Sequence, residues 1–302
     1  MKYYQLISSD GDSRLAVESR EGVLTDLTSL DDDLVDVEDL ALAAHLCDID
    51  IDRLTEGLLG GGEPDTYQLS EIVENSRSVT GDLFLDRPFD SPEIWAAGVT
   101  YQTSEMERRR ESDTPDIYSS VYVAERPELF LKATSDRCVG PFESVGIRAD
   151  SVWNVPEPEL GFVLYKGRIL GYTVGNDMSS RSIEGENPLY LPQAKIYDRC
   201  CSIGPCLVTD STVKNPHNLT VRCSITRDGV EVFVGEASTA QMVRKCEQIS
   251  DWIQRHNSVM NMTTVLTGTG IVPPPGFTLQ AKDVVIMSIQ NIGTLENDVV
   301  VV

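Results

Sequence analysis

Two apolar runs on either side of Lys166-Gly167 constrain the fold of this chain more than any other feature. The runs ELGFVLY (159–165) and RILGYTVGND (168–177) are each long enough for a strand. The glycine-containing pair between them is typical of a two-residue hairpin turn. Counting back from that turn places residue 159 opposite 174 and residue 157 opposite 176. The sequence therefore predicts a long β-hairpin.

Three carboxylates lie at the open end of this predicted hairpin. Glu157 and Glu159 are two residues apart, so in an extended strand they point to the same face. Asp177 falls one residue beyond the partner of Glu157, and strict pleating would turn it to the opposite face. A β-bulge, or the end of the strand at Asn176, would bring it back. Three carboxylate oxygens suit Mg²⁺ or Mn²⁺ and leave about half of an octahedral shell for a chelating 2-oxo acid.

The first part of the chain, residues 1–88, is predicted to be a small α/β domain. It opens with a strand at 3–7, a helical pattern recurs near 34–47, and the glycine-rich stretch 60–64 is a loop or linker. Residues 89–302 form the second predicted domain.

This second domain is predicted to be strand-rich, with few helices. Strands are expected at 94–101 and 129–133, and a second hairpin spans 219–235 around Asp228-Gly229. Helices are expected for the charged stretch 104–112 and for the amphipathic stretch 238–256. Strand and helix do not alternate regularly, so the fold class is α+β rather than a doubly wound sheet.

Charge and cysteine content restrict the partners and the compartment. The chain has 25 Lys and Arg against 48 Asp and Glu, a net charge of −23, which argues against nucleic acid and anionic membranes as partners. No apolar run reaches the roughly 20 residues of a membrane span. Seven cysteines without a CxxC pair indicate free thiols and a cytoplasmic protein. The three scattered histidines do not favour a zinc site or a Ser-His-Asp triad.

Four motifs resemble, in the same order, the core signature of the fumarylacetoacetate hydrolase family. They are VPEPELGFVL (155–164), GYTVGNDMSSR (171–181), LPQAKIY (191–197) and LTGTGIV (266–272). The resemblance covers roughly residues 90–302. It implies a mixed β-roll or β-sandwich catalytic domain, Glu157, Glu159 and Asp177 as metal ligands, Mg²⁺ or Mn²⁺ as cofactor, and assembly into a homodimer or homotetramer.

Other segments are most similar to the branch of this family that dehydrates 2-keto-3-deoxy sugar acids. These segments are 95–101, 124–134, 182–197 and 267–274. The resemblance implies a hydro-lyase that converts a 2-keto-3-deoxy pentonate to 2,5-dioxopentanoate through an enolate stabilised by the metal. Gly268-Thr269-Gly270, where the hydrolases have GTP, and Ser182, where they have an acidic residue, depart from the hydrolase pattern.

The resemblance also suggests roles for five further residues. Lys195 is a candidate base or stabiliser of the enolate oxygen, and Glu128 is a candidate proton shuttle. Lys132 is expected to pair with the substrate carboxylate. Arg181 binds substrate or ties down its own loop, and Thr269 offers its hydroxyl and neighbouring N–H groups to a carboxylate.

Two alternatives remain open from sequence alone. Acylpyruvate or fumarylacetoacetate-type C–C hydrolysis, or oxaloacetate decarboxylation, would use the same metal and the same enolate. No histidine lies between His45 and His217, which argues against a hydrolase that uses histidine to activate water. The other alternative is a non-catalytic metal-binding or scaffold protein.

Overall fold

The computed structural model describes residues 1–111 and 115–302. The strands are β1 (Lys2–Ser8), β2 (Ser13–Arg20), β3 (Val23–Asp26), β4 (Thr66–Gln68), β5 (Leu83–Leu85), β6 (Glu93–Gly98), β7 (Glu128–Thr134), β8 (Cys138–Val139), β9 (Val145–Ile147), β10 (Asn154–Val155), β11 (Pro158–Tyr165), β12 (Arg168–Asp177), β13 (Ser179–Ser180), β14 (Cys201–Thr209), β15 (Thr220–Arg227), β16 (Val230–Ser238), β17 (Thr263–Leu266), β18 (Val284–Ile289) and β19 (Gly293–Val301). The helices are α1 (Val37–Leu46), α2 (Ile51–Leu59), α3 (Leu69–Ser78), α4 (Gln102–Glu111), α5 (Pro115–Val123), α6 (Arg181–Glu186), α7 (Leu191–Lys195), α8 (Asp210–Val213) and α9 (Cys246–Gln254).

Most strands belong to two sheets. Within the described residues, twelve strands form a mixed sheet with the main order β4-β3-β2-β1-β14-β12-β11-β17-β6-β7, while β5 pairs with β1 and β8 with β14. A five-stranded sheet has the order β16-β15-β18-β19-β9, and its strands β18 and β19 pack against β12 and β14. The strand-rich α+β class predicted from the sequence is confirmed.

The hairpin predicted around Lys166-Gly167 is present as β11 and β12. Tyr165 lies opposite Arg168, as a two-residue turn requires. Beyond the turn, Leu170 is an extra residue on β12 and forms a β-bulge. The pairs that flank this bulge are Leu164 with Ile169 and Val163 with Gly171.

The bulge shifts the predicted register by one residue. Glu159 therefore lies opposite Gly175, and the Asp177 N–H donates to the Glu157 carbonyl at 3.0 Å. Asp177 is now the direct partner of Glu157. Because directly opposed residues of an antiparallel pair share a face, all three carboxylates point to the same side.

The N-terminal strands continue the main sheet. β1 runs antiparallel to β14, with Lys2 opposite Val208 and Tyr3 opposite Leu207. Tyr3 and Leu207 also belong to the same cluster of buried apolar side chains. The predicted boundary at residue 88 marks a change in sequence character, and as a division between domains it stays a prediction.

The predicted helices differ from the observed ones mainly at their ends. α1 lies inside the predicted 34–47, and the Asp36 side chain caps its first turn by accepting from the Asp39 N–H. The prediction for 238–256 was too long, because only Cys246–Gln254 is α-helical. Before it, Ser238 caps a single short turn, and Met242 is extended and pairs with Tyr101.

The charged helix predicted for 104–112 is α4, which follows β6; residue 112 lies outside the described residues. Val99, in the connection from β6 to α4, has a φ of 52°, a left-handed conformation that is costly for a β-branched residue. Among the described residues, none of the helices combines the length and apolar character that crossing a bilayer demands.

Candidate active site

The three carboxylates predicted to bind metal meet at the end of the hairpin. Carboxylate oxygens of Glu157, Glu159 and Asp177 lie within 4.8 Å of one another, and all three residues are buried. Glu157 directly precedes β11, Glu159 lies within it, and Asp177 ends β12. The β-bulge at Leu170 thus turns Asp177 to the same face as the two glutamates, whereas strict alternation would have placed it on the other face.

Lys195 connects two of these carboxylates. Its ammonium group donates to Glu157 at 2.6 Å, to Asp177 at 2.8 Å and to the Ser179 hydroxyl at 2.6 Å. The lysine ends the short helix α7 and is almost fully buried. Each of the three N–H groups of Lys195 therefore has an acceptor, and these hydrogen bonds hold the ammonium group beside the triad.

The pKa values of the two glutamates move in opposite directions. Burial opposes ionisation of Glu157, but nearby positive charges, that of Lys195 first, outweigh it and hold the pKa of Glu157 below its ordinary value. Burial raises the pKa of Glu159 well above its ordinary value, and the charges of Asp177 and Glu157 add to the effect. The cations at the site therefore favour the ionised form of Glu157, whereas burial and its two carboxylate neighbours disfavour that of Glu159.

The glycine-containing loop after β17 contributes a backbone donor to the triad. The Gly268 N–H donates to Glu159 at 2.6 Å. Gly268 has a φ of 88°, and a Cβ there would stand 2.1 Å from the Thr100 hydroxyl oxygen, so a side chain does not fit. Thr269, the predicted substrate contact, lines the cavity beside the triad, and its hydroxyl accepts from the Ile271 N–H.

Glu128, the predicted proton shuttle, lines the same cavity at the start of β7. It faces Gly98 of β6, where a Cβ would lie 2.0 Å from a Glu128 carboxylate oxygen. Burial raises the pKa of the Glu128 carboxyl, although the charge of Arg108 opposes the shift. Glu128 is therefore a half-buried carboxyl next to the triad, where a proton shuttle is expected.

The placement of Lys132 does not support the prediction that it binds the substrate carboxylate. Its ammonium group is fully buried behind the triad, 2.7 Å from Asp177, and donates to the carbonyl oxygens of Met178 and Lys195. Lys132 does not line the cavity described here. The sequence could not predict this depth of burial. Alternation along a strand indicates on which face a residue lies, but not how much of the protein covers that face.

Arg181, for which substrate binding or a hold on its own loop was predicted, contacts a carboxylate of the triad from the start of α6. It is nearly fully buried, and its Nη2 donates to Glu157 at 2.7 Å. It does not line the cavity either, so it holds a carboxylate of the triad in place.

Sequence reasoning missed two residues at this site. Arg108 on α4 lines the cavity, and its guanidinium pairs with Glu184 of α6. The Nη2 of Arg108 lies 3.5 Å from Glu157. The run of three arginines at 108–110 was a signal, but the sequence does not show which of them faces inward.

The cavity at the triad is small, with about 10 Å³ of free space, enough for about one water-sized group. A larger cavity of about 560 Å³ lies beside α1 and α2 near the hairpin turn, and no residue of the triad lines it. We take the small cavity as the candidate site, because the buried carboxylates and the lysine are there.

Comparisons with known proteins point to the same chemistry. A model of the family described as fumarylacetoacetate (FAA) hydrolase, C-terminal, matches residues 93–300. A probable 2-keto-3-deoxyxylonate dehydratase from Haloferax volcanii is 50% identical over 306 residues, covering 100% of both chains. A 2-dehydro-3-deoxy-D-arabinonate dehydratase from Saccharolobus solfataricus is 45% identical over 71% of this chain and 74% of its own. The solved structure of 2-keto-3-deoxy-D-arabinonate dehydratase complexed with magnesium and 2,5-dioxopentanoate has a TM-score of 0.81 at 32% identity, covering 100% of this chain and 99% of its own.

Proposed function

The chain belongs to the fumarylacetoacetate hydrolase family, and on that premise we propose that it is a hydro-lyase that converts a 2-keto-3-deoxy pentonate to 2,5-dioxopentanoate. The relative that it matches over both whole chains is named a probable 2-keto-3-deoxyxylonate dehydratase. The observation that carries the proposal is the buried triad joined to the Lys195 ammonium group. Such a site provides oxygen ligands for a hard cation next to a group that can hold a proton.

The donor set fits a divalent cation. Three carboxylate oxygens converge. Burial and, after it, the charges of Asp177 and Glu157 raise the pKa of Glu159, and a bound cation would favour its ionised form. An all-oxygen set suits Mg²⁺, with Mn²⁺ as the alternative. When bound, the cation would polarise the 2-oxo group of the substrate and so make its C3 proton more acidic.

We assign proton movement to Lys195 and Glu128. The Nζ of Lys195 lies at hydrogen-bond distance from two carboxylates. As a neutral amine it would accept the C3 proton, and as an ammonium group it would instead donate to the negative charge that develops on the substrate. Because burial raises its pKa, the Glu128 carboxyl keeps a proton at a higher pH than an exposed glutamate does. It can therefore deliver that proton to the departing C4 hydroxyl.

We propose that the protein is cytoplasmic and assembles into a homodimer or homotetramer. Its partner is a small 2-oxo acid substrate, and it binds neither nucleic acid nor membrane. All seven cysteines are free thiols, which suits a reducing compartment. Val230, Val232 and Val234 are exposed on the edge strand β16. Exposed apolar side chains on an edge strand are typical of a surface that a second subunit covers.

A coupled assay tests the reaction. The protein is supplied with 2-keto-3-deoxyarabinonate or 2-keto-3-deoxyxylonate, first with Mg²⁺ and then with EDTA, and a dehydrogenase specific for 2-oxoglutarate semialdehyde reports the product. We expect turnover with Mg²⁺ that EDTA abolishes. The Glu157→Gln variant should lose turnover as well, because a neutral amide is a poor ligand for a hard cation. Glu56→Gln, at an exposed glutamate on α2, serves as the matched control and should keep full activity.

The same assay separates the alternative reactions. If the wild-type protein leaves both sugar acids unchanged but consumes an acylpyruvate or oxaloacetate with Mg²⁺, the metal site stands and the dehydratase assignment is wrong. If Mg²⁺ does not bind at all, the catalytic interpretation of the triad is wrong too.

A further inference from the structure

Three consecutive arginines on α4 have different surroundings. The side chains of Arg109 and Arg110 are 50% and 64% exposed. They pair with glutamates of their own helix, Glu105 and Glu107 respectively. The side chain of Arg108 is 9% exposed and lies against the candidate site instead. One arginine of the run therefore belongs to the site, and its neighbours to the surface.

The Arg108 side chain pairs with a glutamate of α6 and also lines the cavity. Its Nη1 pairs with Glu184 of α6, which lies beneath it. Its Nη2 is 3.5 Å from a Glu157 oxygen that Arg181 already contacts at 2.7 Å. Arg181 is thus the arginine nearer to that oxygen of Glu157, and Arg108 pairs with Glu184. The guanidinium of Arg108 lines the cavity together with Thr269.

The other cations of the site hold carboxylates of the triad. Of the described residues, Arg108 and Lys195 are the two cationic side chains that line the cavity. The three N–H groups of Lys195 have three acceptors in the protein. Lys132 and Arg181 are buried behind the cavity wall.

We propose that Arg108 binds the carboxylate of the 2-oxo acid substrate. This inference rests on the proposed function only in taking a 2-oxo acid as the ligand. A guanidinium presents five N–H donors in a planar fork that fits a carboxylate, and Glu184 orients that fork. A protein with a net charge of −23 repels a free anion, so it needs such a local positive group for an acidic substrate. Arg108 thereby fills the role that the sequence had suggested for Lys132.

Calorimetric binding to the Mg²⁺-loaded protein tests the proposal without any turnover. The probes are pyruvate, the smallest 2-oxo acid, and pyruvamide, which keeps the 2-oxo group but has no carboxylate. Arg108→Ala should weaken pyruvate binding by about 10- to 100-fold, the usual effect of losing a hydrogen bond to a charged group. Pyruvamide binding should change by less than about threefold, since no charged contact is lost.

Two further variants make the result specific. Arg108→Lys keeps the charge without the fork and should bind pyruvate with intermediate affinity. Should the alanine variant not fold, the lysine variant still tests the contact. Arg110→Ala removes the same charge from the exposed face of α4 and should bind both probes like the wild type.

Either of two results overturns the proposal. One is pyruvate binding by Arg108→Ala within about threefold of the wild type. The other is an equal loss of pyruvate and pyruvamide, which would mean that Arg108 supports the site without touching the carboxylate. Failure of the proposed function would show differently: the wild type would bind pyruvate but would not dehydrate a sugar acid.

Discussion

Glu159 is the member of the triad whose charge is least compensated. The Gly268 N–H donates to it, whereas Lys195 pairs with the other two carboxylates, Glu157 and Asp177. Its raised pKa and the lowered pKa of Glu157 follow from this difference. Two neighbouring glutamates with opposite shifts should respond oppositely to neutralisation.

Replacing each glutamate by glutamine tests this difference in the metal-free protein. A raised folded-state pKa means that folding disfavours the ionised form, so Glu159→Gln should raise Tm at neutral pH. A lowered folded-state pKa means the reverse, so Glu157→Gln should lower Tm. Differential scanning calorimetry in EDTA measures both. Shifts of the same sign would contradict the electrostatic description of the triad.

Individual residues could be assigned from the sequence only where a pattern fixed their direction. Glu157 and Glu159 share a face because they are two apart on a strand, and the structure agrees. Lys132 was expected in the cavity and lies behind it, while Arg108 was not singled out. Depth within the fold depends on which elements cover a residue, and no local pattern encodes that.

At the scale of elements, the β-bulge in the central hairpin is the feature that assembles the site. If Leu170 were paired with Val163 instead of bulging out, Asp177 would fall one residue beyond the partner of Glu157 and point to the other face. Between the turn and the paired carboxylates β12 has one residue more than β11, and the bulge accommodates that residue.

Deleting Leu170 together with Thr173 should disconnect the triad. Loss of the paired Thr173 from a hairpin without a bulge moves Asp177 opposite Pro158 and turns it to the other face, so Mg²⁺ affinity should fall by about 10- to 100-fold or more. Deleting Leu170 alone is the matched control: it removes the unpaired residue, keeps Gly171 opposite Val163 and Asp177 opposite Glu157, and should leave Mg²⁺ affinity unchanged. Titration with Mg²⁺ followed by the rise in Tm measures both variants. Undiminished Mg²⁺ binding by the double deletion would show that the register of the hairpin is not required.

The sequence predicted this hairpin more completely than it predicted the bulge. The pair Lys166-Gly167 predicted the turn, and the pairing of Tyr165 with Arg168 followed from the turn. A bulge was expected only as one way to re-aim Asp177, and its position at Leu170 was not predictable. The hairpin pairs along its two edges with β14 and β17, which are distant in sequence, and the position of a bulge must fit those pairings as well.

At the scale of the whole molecule, the net charge of −23 dominates the electrostatics. Like charges on the surface repel one another and weaken the compact state, and salt screens that repulsion. The buried pairs at the site are screened much less. Ionic strength should therefore act mainly on overall stability.

Stability should rise with salt. We expect the urea midpoint to increase between about 0.1 M and about 2 M KCl, since the Debye length falls from about 10 Å to a few ångströms. Sucrose at matched osmolarity, which screens no charge, should have a smaller effect. A midpoint that stays constant or falls with KCl would show that surface repulsion is not a main cost of folding.

The most direct test of the central claim is to follow 2-keto-3-deoxyarabinonate by NMR in the presence of the Mg²⁺-loaded protein. Loss of water across C3 and C4 predicts stoichiometric appearance of 2,5-dioxopentanoate, and EDTA should stop it. Sugar acid that remains unchanged, or product that forms equally well in EDTA, would contradict a dehydratase built on Glu157, Glu159 and Asp177.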